Sequence, residues 1–155
     1  MPSATPVNDP LITTFGRLVE AYSRLEQWLG SSMESQVGLP HVWFEVLIRL
    51  TRSEGEQLMM SSLADQIALT TGGVTRLVDR MQAAGYVERR PCPTDRRVSY
   101  VGITAAGHDI LEQAAAVHAR NLREAFDGFS SQDLAALDAV LDRIREAASG
   151  LPRNV

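Results

Sequence analysis

The stretch that decides the fold is residues 61–107, SSLADQIALTTGGVTRLVDRMQAAGYVERRPCPTDRRVSYVGITAAG. Ser62-x-x-Asp65 has the spacing of a capping box, and Leu63 and Ile67 would face inward on a short helix. Leu69–Gly73 reads as a turn, with Thr70 or Thr71 free to cap a second helix. In that helix Val74, Leu77, Val78 and Met81 recur at i, i+3, i+4 and i+7, which predicts one buried stripe. Thr75, Arg76, Asp79 and Arg80 are left on the open face. Gly85 is placed to end the helix in a left-handed turn. Tyr86–Arg90 and Val98–Ile103 then alternate as two strands, with Val87, Val101 and Ile103 on the buried side. Between them Pro91–Arg97 holds two prolines and no strand pattern. This order of elements predicts a winged helix-turn-helix, in which one helix fits a DNA major groove and a hairpin tip reaches the minor groove.

Charge agrees with this layout locally, though not globally. The 155-residue chain carries a formal charge of −4, so bulk electrostatics would not steer it to DNA. Residues 61–104 are nevertheless net +2, while the segments on either side are each net −3. All 15 basic residues are arginine, a whole-chain bias that weakens any single Arg as a sign of bidentate recognition.

On the open face of the second helix, Thr71, Thr75 and Arg76 are candidates for base edges, and Arg80 for phosphate. Gly72 would let backbone approach a phosphate closely. In the wing, Arg89, Arg90 and Arg96 are candidate phosphate contacts. An arginine of the 94–97 run TDRR, entering a narrow A·T minor groove, would be held by its negative potential. Asp95 would repel phosphate, so its expected work is to pair with an arginine and hold the loop. A solvated surface helix and a mobile exposed ion pair are the plainer alternatives.

Outward from this core, residues 1–10 read as a frayed tail. Leu11, Phe15, Leu18, Tyr22, Leu25 and Leu29 predict a first helix that Gly30 can end, and Ser31–Gly38 reads as a loop. Pro40 can open a second helix at its first position, with Trp43, Val46, Leu47 and Leu50 inward. Ser53–Gln57 reads as a polar connection. Thr104 would cap a long helix with Ile110, Leu111, Ala114, Val117, Leu122, Ala125 and Phe126 on one face. Ser130-x-x-Asp133 would cap a last helix with Leu134, Leu137, Val140, Leu141 and Ile144 on one side, stopped by Gly150 and Pro152.

Matching runs at LADQIALTTGGVTRLVDRMQAAGYVERR (63–90), PTDRRVSYVGIT (93–104) and AAG (105–107) make the chain resemble the MarR family of bacterial transcription regulators. Val74, Arg76, Leu77, Gly85, Arg89, Asp95, Arg97, Thr104 and Gly107 stand at the family's motif positions, and Ile103 replaces a usual Leu. The resemblance implies a mainly α fold with one β-hairpin wing and long terminal dimerisation helices. Residues 11–155 would be a single domain, with dimerisation helices at 11–30 and 105–150 around a DNA-binding lobe at 40–104. It further implies a homodimer, Arg97 in the minor groove with Asp95 orienting the wing, and a ligand crevice between the dimerisation helices and that lobe.

The expected function is thus sequence-specific binding of double-stranded DNA at a pseudo-palindromic site, with repression relieved by a small effector, aromatic compounds being one candidate class. Tyr22, Trp28, His41, Trp43 and Arg49 are the candidate effector contacts, although aromatics at helical spacing are more often core or interface. Cys92 is an alternative sensor by thiol oxidation, with Arg89 and Arg90 favouring its thiolate. The three histidines (41, 108, 118) are dispersed, so no metal or cofactor is expected. No phosphate loop or nucleophile elbow suggests an enzyme. No signal-like or ~20-residue apolar run occurs, so the chain is expected to be cytoplasmic. A helical dimerisation or protein-interaction module that binds no DNA is the competing class.

Overall fold

The computed structural model describes residues 5–67 and 71–152, and of Thr71 the backbone alone. Six helices and three strands follow in order: α1 (Pro10–Val37), α2 (His41–Thr51), β1 (Gln57–Met59), α3 (Met60–Gln66), α4 (Thr71–Ala83), β2 (Val87–Pro91), β3 (Ser99–Ile103), α5 (Ala105–Ala125) and α6 (Ser131–Ser149). Single 3₁₀ turns lie at Pro6–Asn8 and Glu54–Glu56. The chain divides into two compact units, Met1–Asn121 and Leu122–Val155.

In the first unit, α1 is capped by Asp9, whose carboxylate accepts the Leu11 N–H at 2.8 Å, and Pro10 takes the first helical position. The helix does not stop at Gly30, and the loop expected at 31–38 is helical up to Val37. Leu29, Met33 and Val37 continue the apolar spacing, and the first two are buried. Gly30 lies within the helix facing His41, where a Cβ would make ordinary contact with the His41 Cβ at 3.4 Å. The true stop is Gly38, in the left-handed region at φ 72°, with its N–H on the Glu34 carbonyl.

Pro40 is the N-cap of α2, one residue before its expected place. Phe44 is buried beside Val46, Leu47 and Leu50, whereas Trp43 is half-buried with its ring edge-on to Tyr86. The polar connection expected at Ser53–Gln57 contains a turn through Gly55 (φ 67°) and Glu56 (φ 53°), and then a third strand. That strand, β1, pairs antiparallel with β3 from Gln57↔Gly102 to Met59↔Tyr100, giving the sheet order β1-β3-β2. Three residues are too few for alternation to announce a strand. Because β1 runs directly into α3, Met59 is that helix's N-cap. Ser62 therefore lies inside the helix, and the expected capping box does not form.

The stripe Val74, Leu77, Val78 and Met81 is buried as the periodicity requires, against α2, α3 and the inner sheet residues Val87, Val101 and Ile103. Gly72 and Gly73, expected in the turn, lie in the first turn of α4; Ala68–Thr70 lie outside the described residues. Gly85 has φ 85°, and Tyr86 N–H reaches back to the Met81 carbonyl. Thr104 joins two elements: its hydroxyl donates to the Gly85 carbonyl at 2.6 Å and accepts the Gly107 N–H at 3.0 Å, capping α5.

Gly107 is buried where α5 crosses the start of β2. A Cβ there would lie 2.2 Å from the Tyr86 carbonyl oxygen, a backbone atom that cannot move aside alone. Gly107→Ala is therefore expected to destabilise the fold by about 1–3 kcal/mol, as overpacking does. Chemical denaturation should show a lower midpoint than wild type, and an unchanged midpoint would contradict the crossing.

In the second unit, Ser130 and Asp133 form the expected reciprocal capping box of α6. Leu134, Leu137, Val140, Leu141 and Ile144 share one face of the helix, and all are exposed.

Candidate nucleic-acid interface

The anchored stripe of α4 dictates what the other side presents. Thr75, Arg76, Asp79 and Arg80 are exposed, and Gly72 is exposed in the first turn. Among the described residues neither Arg76 nor Arg80 has an ion-pair partner, so both guanidiniums are available. Arg89 is different. It donates to Asp79 at 2.6 Å and to Gln82 at 2.7 Å, tying β2 to the flank of α4.

The wing tip is ordered by backbone and by one carboxylate. Cys92 N–H bonds to the Val98 carbonyl, and Val98 N–H to the Asp95 carbonyl. Asp95 Oδ1 accepts the Arg97 N–H at 2.9 Å and Arg97 Nε at 3.2 Å. The Arg97 backbone N–H first, and then its side chain, hold the Asp95 carboxyl below the usual carboxylate range. Asp95 is thus ionised near neutral pH. The Arg97 side chain stays 91% exposed while paired, so the carboxylate steers it without hiding it. Arg96 is exposed with no ion-pair partner among the described residues.

Arg90, expected at phosphate, is turned the other way. Its Nε donates to Glu88 at 3.0 Å and Nη2 to the Ile103 carbonyl at 3.2 Å. Nη1 lies 3.4 Å from both Gln57 Oε1 and the Gly55 carbonyl.

The Cys92 thiol is lowered below its ordinary value, but not by Arg89 or Arg90. Hydrogen bonds from the Thr94 hydroxyl, and then from the Thr94 and Asp95 N–H groups, lower it against the opposing charge of Asp95.

The five candidate effector residues are not gathered into one pocket. Tyr22 and Trp28 are exposed on α1. Burial first, then Glu26 and Glu45, raise the Tyr22 phenol. Trp43 borders a cleft of about 420 Å³ with Val42, Gly73, Arg76, Leu77 and Arg80. Arg49 Nε is buried without a hydrogen-bond partner among the described residues. His41 Nδ1 is buried 3.9 Å from Glu26, too far for a hydrogen bond.

The histidines are not all dispersed. The fold brings the rings of His41 and His118 to 5.8 Å, with Phe44 against His118 at 4.9 Å. Burial, and secondly His41, push His118 below its ordinary value, favouring the neutral ring. No spacing rule links an N-terminal helix position to one in α5, so sequence gave no signal of this pair. No group of three His, Cys, Asp or Glu among the described residues could hold a metal ion, and none of their helices is long and apolar enough to cross a membrane.

Known proteins share this arrangement. The MarR family model matches residues 37–98, from the end of α1 through the wing loop. The HTH-type transcriptional regulator MhqR of Bacillus subtilis is 28% identical over 127 residues, covering 82% of this chain and 86% of that protein. The structure of Sco3205, a MarR family transcriptional regulator from Streptomyces coelicolor in complex with DNA, superposes with a TM-score of 0.79 at 26% identity, over 95% of this chain and 91% of that one. AbsC, another MarR family regulator from the same organism, gives 0.78 at 27% identity over 97% and 100%. An anchored second helix, an acid-steered wing, the family model over residues 37–98 and the near whole-length structural agreement point one way: in sequence and fold the chain is similar to the MarR family of winged helix-turn-helix proteins.

Proposed function

We propose that the protein is a sequence-specific, DNA-binding transcriptional regulator that acts as a homodimer on a pseudo-palindromic duplex site, and not an enzyme. The observation that carries this reading is the pairing of two features. The first is a helix whose inner stripe is fully buried while Arg76 and Arg80 stand exposed. The second is a wing whose exposed Arg97 is held by Asp95. In this reading Thr71, Thr75 and Arg76 contact base edges, and Arg76 forms a bidentate pair with guanine. Gly72, Arg80 and Arg96 meet phosphates, with Arg89 braced beside them by Asp79. Arg97 enters the minor groove.

Repression relieved by a small effector fits the Trp43 cleft. An occupant there would lie against Arg76 and Arg80, the same arginines assigned to DNA, so the two would compete. In this reading the regulated site is genomic DNA, so the protein is proposed to act in the cytoplasm.

Selection from a random duplex pool tests the proposal. Two recognition helices related by a two-fold axis demand inverted half-sites about 10–10.5 bp apart, centre to centre. Affinity for the selected duplex should fall steeply as salt rises, because arginines displace condensed counterions. A recovered motif without inverted symmetry would remove the dimeric geometry. Failure to retain any duplex at low salt would remove the function and leave the interaction-module class.

A further inference from the structure

We propose that Arg90 is a positioning residue of the DNA-binding surface, one that sets the pitch of the wing by clamping the hairpin to β1, and not a phosphate contact. The proposal rests on the DNA-binding reading above. The outer face of the sheet places Glu88, Arg90, Tyr100, Gly102 and Gln57 together, because Glu88 and Gln57 flank Gly102 in register on either side. The Arg90 guanidinium lies flat across Gly102. A Cβ on that glycine would sit 2.2 Å from the guanidinium carbon and 2.4 Å from Nε, so the space exists only because the residue is glycine. From there the fork reaches all three strands: Glu88 on β2, the Ile103 carbonyl on β3, and Gln57 on β1 with the Gly55 carbonyl just before it.

The clamp has something to hold. β1 pairs over only three residues, which is short for a strand that must transmit position. It leads directly into α3 of the helix-turn-helix, while β2 and β3 carry the wing. The angle between wing tip and recognition helix thus depends on the β1–β3 seam that Arg90 spans. A phosphate could engage this guanidinium only by displacing acceptors on three strands. Lysine cannot replace it, because an ammonium on a flexible stem lacks the planar fork that reaches several acceptors at once.

Arg90→Lys and Arg90→Met, alone and combined with Arg97→Ala, separate positioning from contact. The probe is the duplex recovered by random-pool selection, read by fluorescence anisotropy across a salt series. Positioning predicts that Arg90→Lys weakens binding about tenfold although the charge is kept, with the salt slope unchanged. It also predicts that Arg90→Lys adds less than about twofold to Arg97→Ala, because both act through the same wing contact. A phosphate contact predicts the reverse: near wild-type affinity for Arg90→Lys, a salt slope reduced by about 0.9 per half-site in Arg90→Met, and losses that multiply with Arg97→Ala. Those results would overturn the proposal. Gly102→Ala places a methyl under the guanidinium with no change of charge, and should reproduce Arg90→Lys; wild-type binding by it would also overturn the clamp. Hydrogen exchange on the free protein needs no DNA. Gln57–Met59 amides should exchange about tenfold faster in Arg90→Lys, and unchanged exchange would reject the clamp even if the wild-type protein retained no duplex and the regulator reading itself had fallen.

Discussion

Arg97→Ala is expected to weaken binding to the selected duplex about ten- to hundredfold per half-site, with the loss largest where the flanking sequence is A·T-rich. In the proposed reading the partner of this arginine is the negative potential of a narrow minor groove and not a base edge, so its removal should flatten the preference for flanking sequence. Arg76→Ala should behave differently. It should cost a similar factor at one base pair of each half-site and relax preference there alone. Asp95 gives the sharper test because its two possible roles differ in sign. Removing a carboxylate near phosphates strengthens binding if the wing is a loose basic loop. It weakens binding if the carboxylate holds the Arg97 N–H and Nε in place, as the bonds at 2.9 and 3.2 Å indicate. Weaker binding by Asp95→Ala is the expected result in a salt-matched titration, and tighter binding would refute the steering role.

The unmodified protein should sediment at micromolar concentration as a species of twice its 17.0 kDa chain mass. Leu11, Phe15 and Leu18 lie exposed on α1, and Leu137, Val140, Leu141 and Ile144 lie exposed on α6. Apolar faces like these commonly mark interaction surfaces, and a second copy is the partner the proposed two-fold DNA geometry requires. Val140→Glu combined with Leu141→Glu should leave a 17.0 kDa chain whose helices still form, since α6 buries none of its residues within its own chain. The same variant should lose the avidity of two half-sites and bind the palindromic duplex about a hundredfold more weakly. A wild-type protein that runs as a clean monomer would remove the dimer reading.

The pattern of what could be read in the residues follows the range of the forces involved. Buried stripes and caps act within four residues of themselves. The periodicity of α4, the left-handed Gly85, the Thr104 cap and the Ser130–Asp133 box were accordingly all legible in the chain. The pairing of Asp95 with a neighbouring arginine was legible for the same reason, being a contact two residues long, whereas the choice of Arg97 came from the family resemblance. Local signals also misled where they competed. Gly30 resembles a helix stop, yet Leu29 and Met33 draw the helix onward into the core. Ser62 resembles a cap, yet the strand before it starts the helix three residues earlier, with Met59 as the cap.

The sequence by itself determined the order of the helices and of the two wing strands, the buried face of α4 and the clustering of positive charge around the wing, because each is written in local patterns of the chain. Only the tertiary structure decided which arginines are available and which are spent within the fold. Arg89 and Arg90 are adjacent and chemically identical, but the strand sends one to α4 and the other across Gly102 to β1. The contact of His41 with His118 and the third strand at Gln57–Met59 belong to the same class. Each depends on residues distant in the chain, whose meeting is set by how the hydrophobic core closes and by no pattern local to either partner.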